Sequence, residues 1–171
     1  MQLADLLRYA IAIALSGVLA WAAISDFRSR RIPNHAVLSV LALFVPWTLA
    51  SGGIGLASAL MAGVVAFAVG YGLYAFKAVG AGDAKLFAAL ALFTGLAHLP
   101  AFALATVWTG GLMAIGALVA RPRRALAMLS LRGQRDDGRG IPFGVAIGVG
   151  GVVVLWGYLS GLLPFHGGAL G

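Results

Sequence analysis

At 171 residues the chain has the length of one domain, but 61% hydrophobic and 10% charged residues are not the composition of a soluble one. A mean hydropathy of +0.99 points to an integral membrane protein. The absence of cysteine excludes disulfides and Cys-based zinc sites, and the net charge of +7, carried on short inter-helix loops, reads as a topology signal rather than a nucleic-acid surface.

The first apolar stretch runs from Tyr9 to Ser25 and predicts a helix over roughly 6–24. Ala20-Trp21-Ala22 resembles a small-residue cleavage site, but Arg28, Arg30 and Arg31 follow at once and oppose export, so the helix is read as retained. Residues 26–34 form a short polar connection, ending in Pro33 and in Asn34 as a cap for the next helix. The uncharged run Ala36–Phe76 is too long for one span of about 20 residues and breaks at Ser51-Gly52-Gly53, predicting helices near 35–50 and 54–76. After a connection at 77–85, the uncharged run Leu86–Ala120 breaks at His98-Leu99-Pro100, predicting helices near 84–97 and 101–120. Arg121 to Gly140 is the one substantial polar loop, and Ile141–Leu162 is the last span, with Pro142 near its first turn and Gly144 and Gly148 as a G-x-x-x-G pair.

The expected fold is therefore an all-α polytopic membrane protein of six transmembrane helices in one membrane-embedded domain over 1–171. With both termini on the extracytoplasmic side, the connections at 26–34, 77–85 and 121–140 are cytoplasmic and hold every one of the 12 Lys and Arg residues except Arg8. Reading 86–120 as a single span would separate the arginine-rich loop from Arg28–Arg31.

That topology brings two carboxylates to one face. Asp26 closes the first helix and Asp83 opens the fourth, within Gly80-Ala81-Gly82-Asp83-Ala84-Lys85-Leu86. A carboxylate at such a junction needs water or a partner, because burying it alone is expensive. Adjacent, the two would titrate as a pair sharing one proton, and such a pair can hydrolyse a peptide: one carboxylate takes a proton from water while the other donates to the carbonyl oxygen. Helix dipoles favour Asp83, at a helix start, as the more readily ionised member and Asp26, at a helix end, as the proton holder. Gly80 and Gly82 would let the backbone turn tightly and admit a substrate strand.

Plainer roles fit the same residues. Asp83 suits a helix N-cap, Asp26 an interfacial residue paired with Arg28 or Arg30, and Lys85 a side chain snorkelling at the membrane border. Asp136 and Asp137 read as solvated. His35 and His98 fall at opposite ends and cannot share a metal. Trp21, Trp47, Trp108 and Trp156 read as lipid-facing or interfacial anchors. A membrane transporter subunit, or a non-enzymatic assembly protein in which both aspartates are caps, are the alternative functions.

Asp26-Phe27-Arg28-Ser29-Arg30-Arg31-Ile32-Pro33-Asn34, followed by Gly80–Leu86 and by Ile141-Pro142-Phe143-Gly144-Val145-Ala146, resembles the type IV prepilin leader peptidases, the GxGD membrane aspartic proteases. The resemblance implies Asp26 and Asp83 as the catalytic aspartates, with Gly80, Gly82, Lys85, Pro33, Asn34, Pro142 and Gly144 as supporting motif positions and no cofactor. It implies cleavage of short basic leaders from prepilins or pseudopilins, after a glycine, at the cytoplasmic face of the bacterial inner membrane. The short 26–34 connection and the lack of cysteine resemble the minimal form associated with tight-adherence (Flp-type) pili rather than the large bifunctional members, which also N-methylate the product.

Overall fold

The computed structural model describes residues 3–29, 31–50, 55–120 and 143–162. These form five helices and no strand among the described residues: α1 Leu3–Ser29, α2 Asn34–Ala50, α3 Leu56–Ala75, α4 Ala81–Ala120 and α5 Phe143–Leu159. α1, α3 and α4 are long and apolar enough to cross a membrane, and α2 and α5 are shorter apolar helices. Large side chains such as Val64, Phe67, Trp108 and Val153 face outward around the bundle, an apolar exterior suited to lipid rather than water. Pro142, Arg30 and the arginine-rich 121–140 connection lie outside the described residues.

Two boundaries differ from expectation. α1 continues to Ser29, so Asp26 lies in its last helical turn rather than in a connection. The break expected at 98–100 falls instead at Gly95, whose φ of 63° and ψ of 173° are open essentially to glycine alone. Pro100, five residues further on, lies within the second arm and does not interrupt it. The break reverses the chain: Phe87 stacks on Phe102 with ring centroids 4.6 Å apart, so the two arms of α4 run antiparallel.

Neighbouring helices satisfy the backbone groups that this break leaves open. The Leu96 N–H donates to Ser58 Oγ of α3 at 2.9 Å, and the Tyr158 hydroxyl of α5 donates to the Thr94 carbonyl at 2.6 Å. At the same end, Arg8 Nε donates to the Ala50 carbonyl at the last residue of α2. The cation that stands apart from the other basic residues is thus a helix C-terminal cap, where dipole and orphan carbonyls both favour it.

Small residues set the helix spacings, as lipid-embedded packing requires. A Cβ on Gly70 would lie 3.1 Å from Ala84 Cβ, and one on Gly151 would lie 3.0 Å from Leu90. The core between α1, α2, α4 and α5 contains Leu15, Leu19, Leu86, Leu90 and Phe102. Trp47 also belongs to it: at 4% exposure, packed on Phe93, it is a core residue and not the lipid-facing anchor its type suggested. Trp21, Trp108 and Trp156 are exposed as expected.

The α3–α4 connection is stopped by Lys77, the one non-glycine residue with positive φ (58°) among the described residues. The Ala78 N–H bonds the Leu73 carbonyl and the Lys77 N–H the Tyr74 carbonyl, each at 2.8 Å. This is a Schellman closure with lysine where glycine is usual.

Candidate functional site

Asp26 is 6% exposed, although it is a carboxylate in the last turn of an apolar helix. Burial of that kind requires hydrogen bonds, and one comes from 118 residues away: the Gly144 N–H donates to Asp26 Oδ2 at 2.9 Å. Gly144 is the second residue of α5, whose first N–H groups have no intrahelical acceptor and carry the positive end of the helix dipole. Asp26 therefore sits at the unfavourable end of its own helix but the favourable end of another. The dipole distinction drawn from sequence between the two aspartates disappears.

Asp83 is half-buried in the first turn of α4. It is not the N-cap. The Ala84 N–H bonds the Gly80 carbonyl, which makes Gly80 the cap residue. Asp83, three residues on, reaches back to accept the Gly80 N–H at 3.2 Å, as the acidic residue of a capping box does. Asp83 and Asp26 lie at the same end of the bundle, since Ile32 packs on both Gly82, next to Asp83, and Gly144, whose N–H bonds Asp26.

The glycines work by close approach, not by unusual backbone angles. Among the described residues positive-φ glycines are confined to Gly55, Gly95 and Gly161, so the chain turns at Gly80 and Gly82 without left-handed angles. A Cβ on Gly80 would lie 3.0 Å from Asp83 Oδ2, and its absence lets the carboxylate fold back. A Cβ on Gly82 would lie 3.1 Å from Ile32 Cβ, while one on Gly144 would lie 2.8 Å from Ile32 Cδ1 and 2.9 Å from Asp26 Oδ2. Ile32, in the α1–α2 connection, thus touches the glycine beside Asp83 and the glycine that holds Asp26.

The flanking residues have simpler placements. The Ser25 hydroxyl donates to the Arg31 carbonyl at 3.1 Å and ties the connection to α1. The Pro33 carbonyl accepts the Ala36 N–H at 3.0 Å, and Asn34 is the first residue of α2 rather than the cap before it. Lys85 is exposed. His35 packs on Trp21 at 4.7 Å, whereas His98 packs on Tyr158 at the far end. No group of three metal-ligating side chains occurs among the described residues. Ile32 is the part of the site that the sequence reading did not single out, whereas Gly144 was expected only as a supporting motif position and not as the donor to Asp26. The G-x-x-x-G pair was a visible signal, but for helix packing, and Gly148 does lie 3.6 Å, at Cβ, from the Leu19 carbonyl.

A third feature adjoins Asp83. A cavity of about 270 Å³ lies between α3, the two arms of α4 and α5. Its lining surface is apolar throughout, although Asp83 and Thr106 are among the residues that border it.

Comparison with curated proteins and with solved structures gives no match. The model of the type IV leader peptidase family matches residues 13–115, more than half of the chain and a span that includes both aspartates. The chain belongs to the type IV leader peptidase family.

Proposed function

We propose that this chain is an aspartic endopeptidase that removes the short basic leader of a prepilin or pseudopilin at the cytoplasmic face of the bacterial inner membrane. The observation that supports the reading is the placement of Asp26 and Asp83 at one end of the bundle, each carboxylate accepting a backbone N–H and Ile32 packed between the glycines beside them. Close carboxyl groups do not both ionise readily, so the pair holds one proton. The ionised member takes a proton from water as its oxygen attacks the scissile carbonyl, and the protonated member donates to that carbonyl oxygen. Collapse of the tetrahedral intermediate breaks the C–N bond and sends a proton to the leaving amine.

Six spans with extracytoplasmic termini complete the reading, with the arms of α4 as two of them and basic residues at 28–31, 77–85 and 121–139 inside. That face would meet a basic leader before its translocation. Gly80, Gly82 and Gly144 allow close approach at the two aspartates, and Pro33 and Asn34 end the connection that carries Ile32. Lys85, exposed beside Asp83, suits the lipid border. The work needs no metal or cofactor and no nucleic acid, and a transporter role is disfavoured because both carboxyl groups lie at helix ends rather than mid-span.

Co-expression with candidate prepilins of the same host, followed by leader removal on gels, tests the reading. Wild type should shorten its substrate, and Asp26→Asn and Asp83→Asn should each abolish cleavage at undiminished membrane level. Full cleavage by both variants would refute the aspartate pair.

A further inference from the structure

The cavity between α3 and the second arm of α4 opens sideways. Val65, Val69 and Leu73 of α3 and Val107 of α4 belong both to its wall and to the exposed apolar exterior. From Val65 to Leu73 the slot follows the bundle for roughly 12 Å, at 1.5 Å per residue. Val79, in the α3–α4 connection, borders it at the aspartate end.

Shape and chemistry together select the occupant. A helix, roughly 10–12 Å across, is too wide to enter. An extended peptide would bring N–H and C=O groups that an entirely apolar wall leaves unsatisfied. A hydrocarbon chain needs no such partners. An apolar cavity of about 150 Å³ holds one benzene ring, so one of about 270 Å³ accepts roughly ten carbons of an acyl chain.

The aspartate end of the slot carries a cation. Lys77 is exposed and lies in the chain between Leu73 and Val79 of the wall, where the Ala78 N–H bonds the Leu73 carbonyl at 2.8 Å. Its φ of 58° is strained for lysine, and glycine would fit more easily. Strain of this kind gathers where ligands are held. Tyr71 and Tyr74, exposed on the last turns of the same helix with ring centroids 6.4 Å apart, are side chains of the sort that sit at headgroup level. The Asp83 carboxylate, the one acid bordering the slot, accepts the Gly80 N–H. We propose that the slot binds an anionic phospholipid of the leaflet at the aspartate end, with an acyl chain between α3 and the second arm of α4 and the phosphate paired with Lys77. The acyl chain lies against Ala84 and Phe143, the neighbours in sequence of Asp83 and Gly144, so a lipid braces the site from the side.

The test is native mass spectrometry of the delipidated full chain in detergent, titrated with phosphatidylglycerol or with phosphatidylcholine of the same acyl chains. Wild type should take up one phosphatidylglycerol in a saturable step, about fivefold more tightly than phosphatidylcholine. Lys77→Gly and Lys77→Asn, both suited to that backbone conformation, should lose the preference. Ala103→Leu, which fills the slot, should weaken both lipids by about tenfold or more. Val69→Phe, at the exposed rim, should also weaken both and stands in where the Ala103 variant fails to fold. Equal affinity of wild type for the two lipids, uptake without saturation, or a preference that both Lys77 variants retain would each overturn the assignment. Folded slot variants that bind both lipids like wild type would overturn it too, leaving the space to another occupant such as an apolar side chain of a partner.

Discussion

The Gly144 N–H and the Asp26 carboxylate meet at 2.9 Å across α5 and α1, so the buried acid of the first helix is held by the start of the last one. Helix–helix docking and carboxylate orientation are thereby one event. An error in how α5 packs becomes an error in where Asp26 points.

Gly144→Ala tests this relationship. The added Cβ would meet Asp26 Oδ2 at 2.9 Å and Ile32 Cδ1 at 2.8 Å, and one of them has to move. A displacement of about 1 Å at a reacting group costs about a hundredfold. Leader cleavage should fall by about that factor while the protein still reaches the membrane, as measured by initial rates normalised to membrane-inserted protein.

The helix break at Gly95 should be intolerant of a side chain. Gly95→Ala forces alanine into a backbone region that costs about 1–3 kcal/mol, with a Cβ only 3.3 Å from Ser58 Oγ. Its thermal midpoint in detergent should drop clearly below that of wild type. A Gly17→Ala control, with nothing near the new Cβ, should not fall.

Removing the partners of that break from the neighbouring helices should cost less. Ser58→Ala takes the acceptor from the Leu96 N–H, and Tyr158→Phe takes the donor from the Thr94 carbonyl. Each should lower stability by about 1 kcal/mol, read as a shift of the unfolding midpoint. Loss of Arg8 as Arg8→Gln should act similarly by uncapping α2.

Lys77→Gly should move stability the other way. Lysine at φ 58° closes α3 in a conformation that costs an L-residue about 1–2 kcal/mol, partly offset by the greater freedom glycine gives the unfolded chain. The midpoint should rise by an amount corresponding to about 1 kcal/mol or less. A fall would show that the Lys77 side chain contributes more than its backbone strain costs.

Much of this was legible in the chain itself. The uncharged runs located the helices, and the distribution of Lys and Arg brought Asp26 and Asp83 to one end before any coordinates did. The glycine of the break was not legible, because Pro100 is the stronger local punctuation mark, yet the helix runs on through Pro100 and is interrupted at Gly95. Trp47 could not be sorted from the other tryptophans, since in lipid both the core face and the outer face are apolar and periodicity no longer tells them apart. The donor to Asp26 is a backbone N–H and leaves no trace in residue type. The partners of Leu96 and Thr94 are likewise ordinary residues made special only by long-range packing.

Ile32 gives the site a property that neither aspartate has alone. One side chain fills the space left by Gly82 and by Gly144 at once, so a change that shifts it perturbs both carboxyl groups together. Substitutions at Gly82, Ile32 and Gly144 should be non-additive, because contacting residues share their coupling energy, and a compensating change at one can restore another. A smaller residue at position 32 is the natural suppressor of Gly144→Ala, making the α1–α2 connection an adjustable spacer between the two halves of the site.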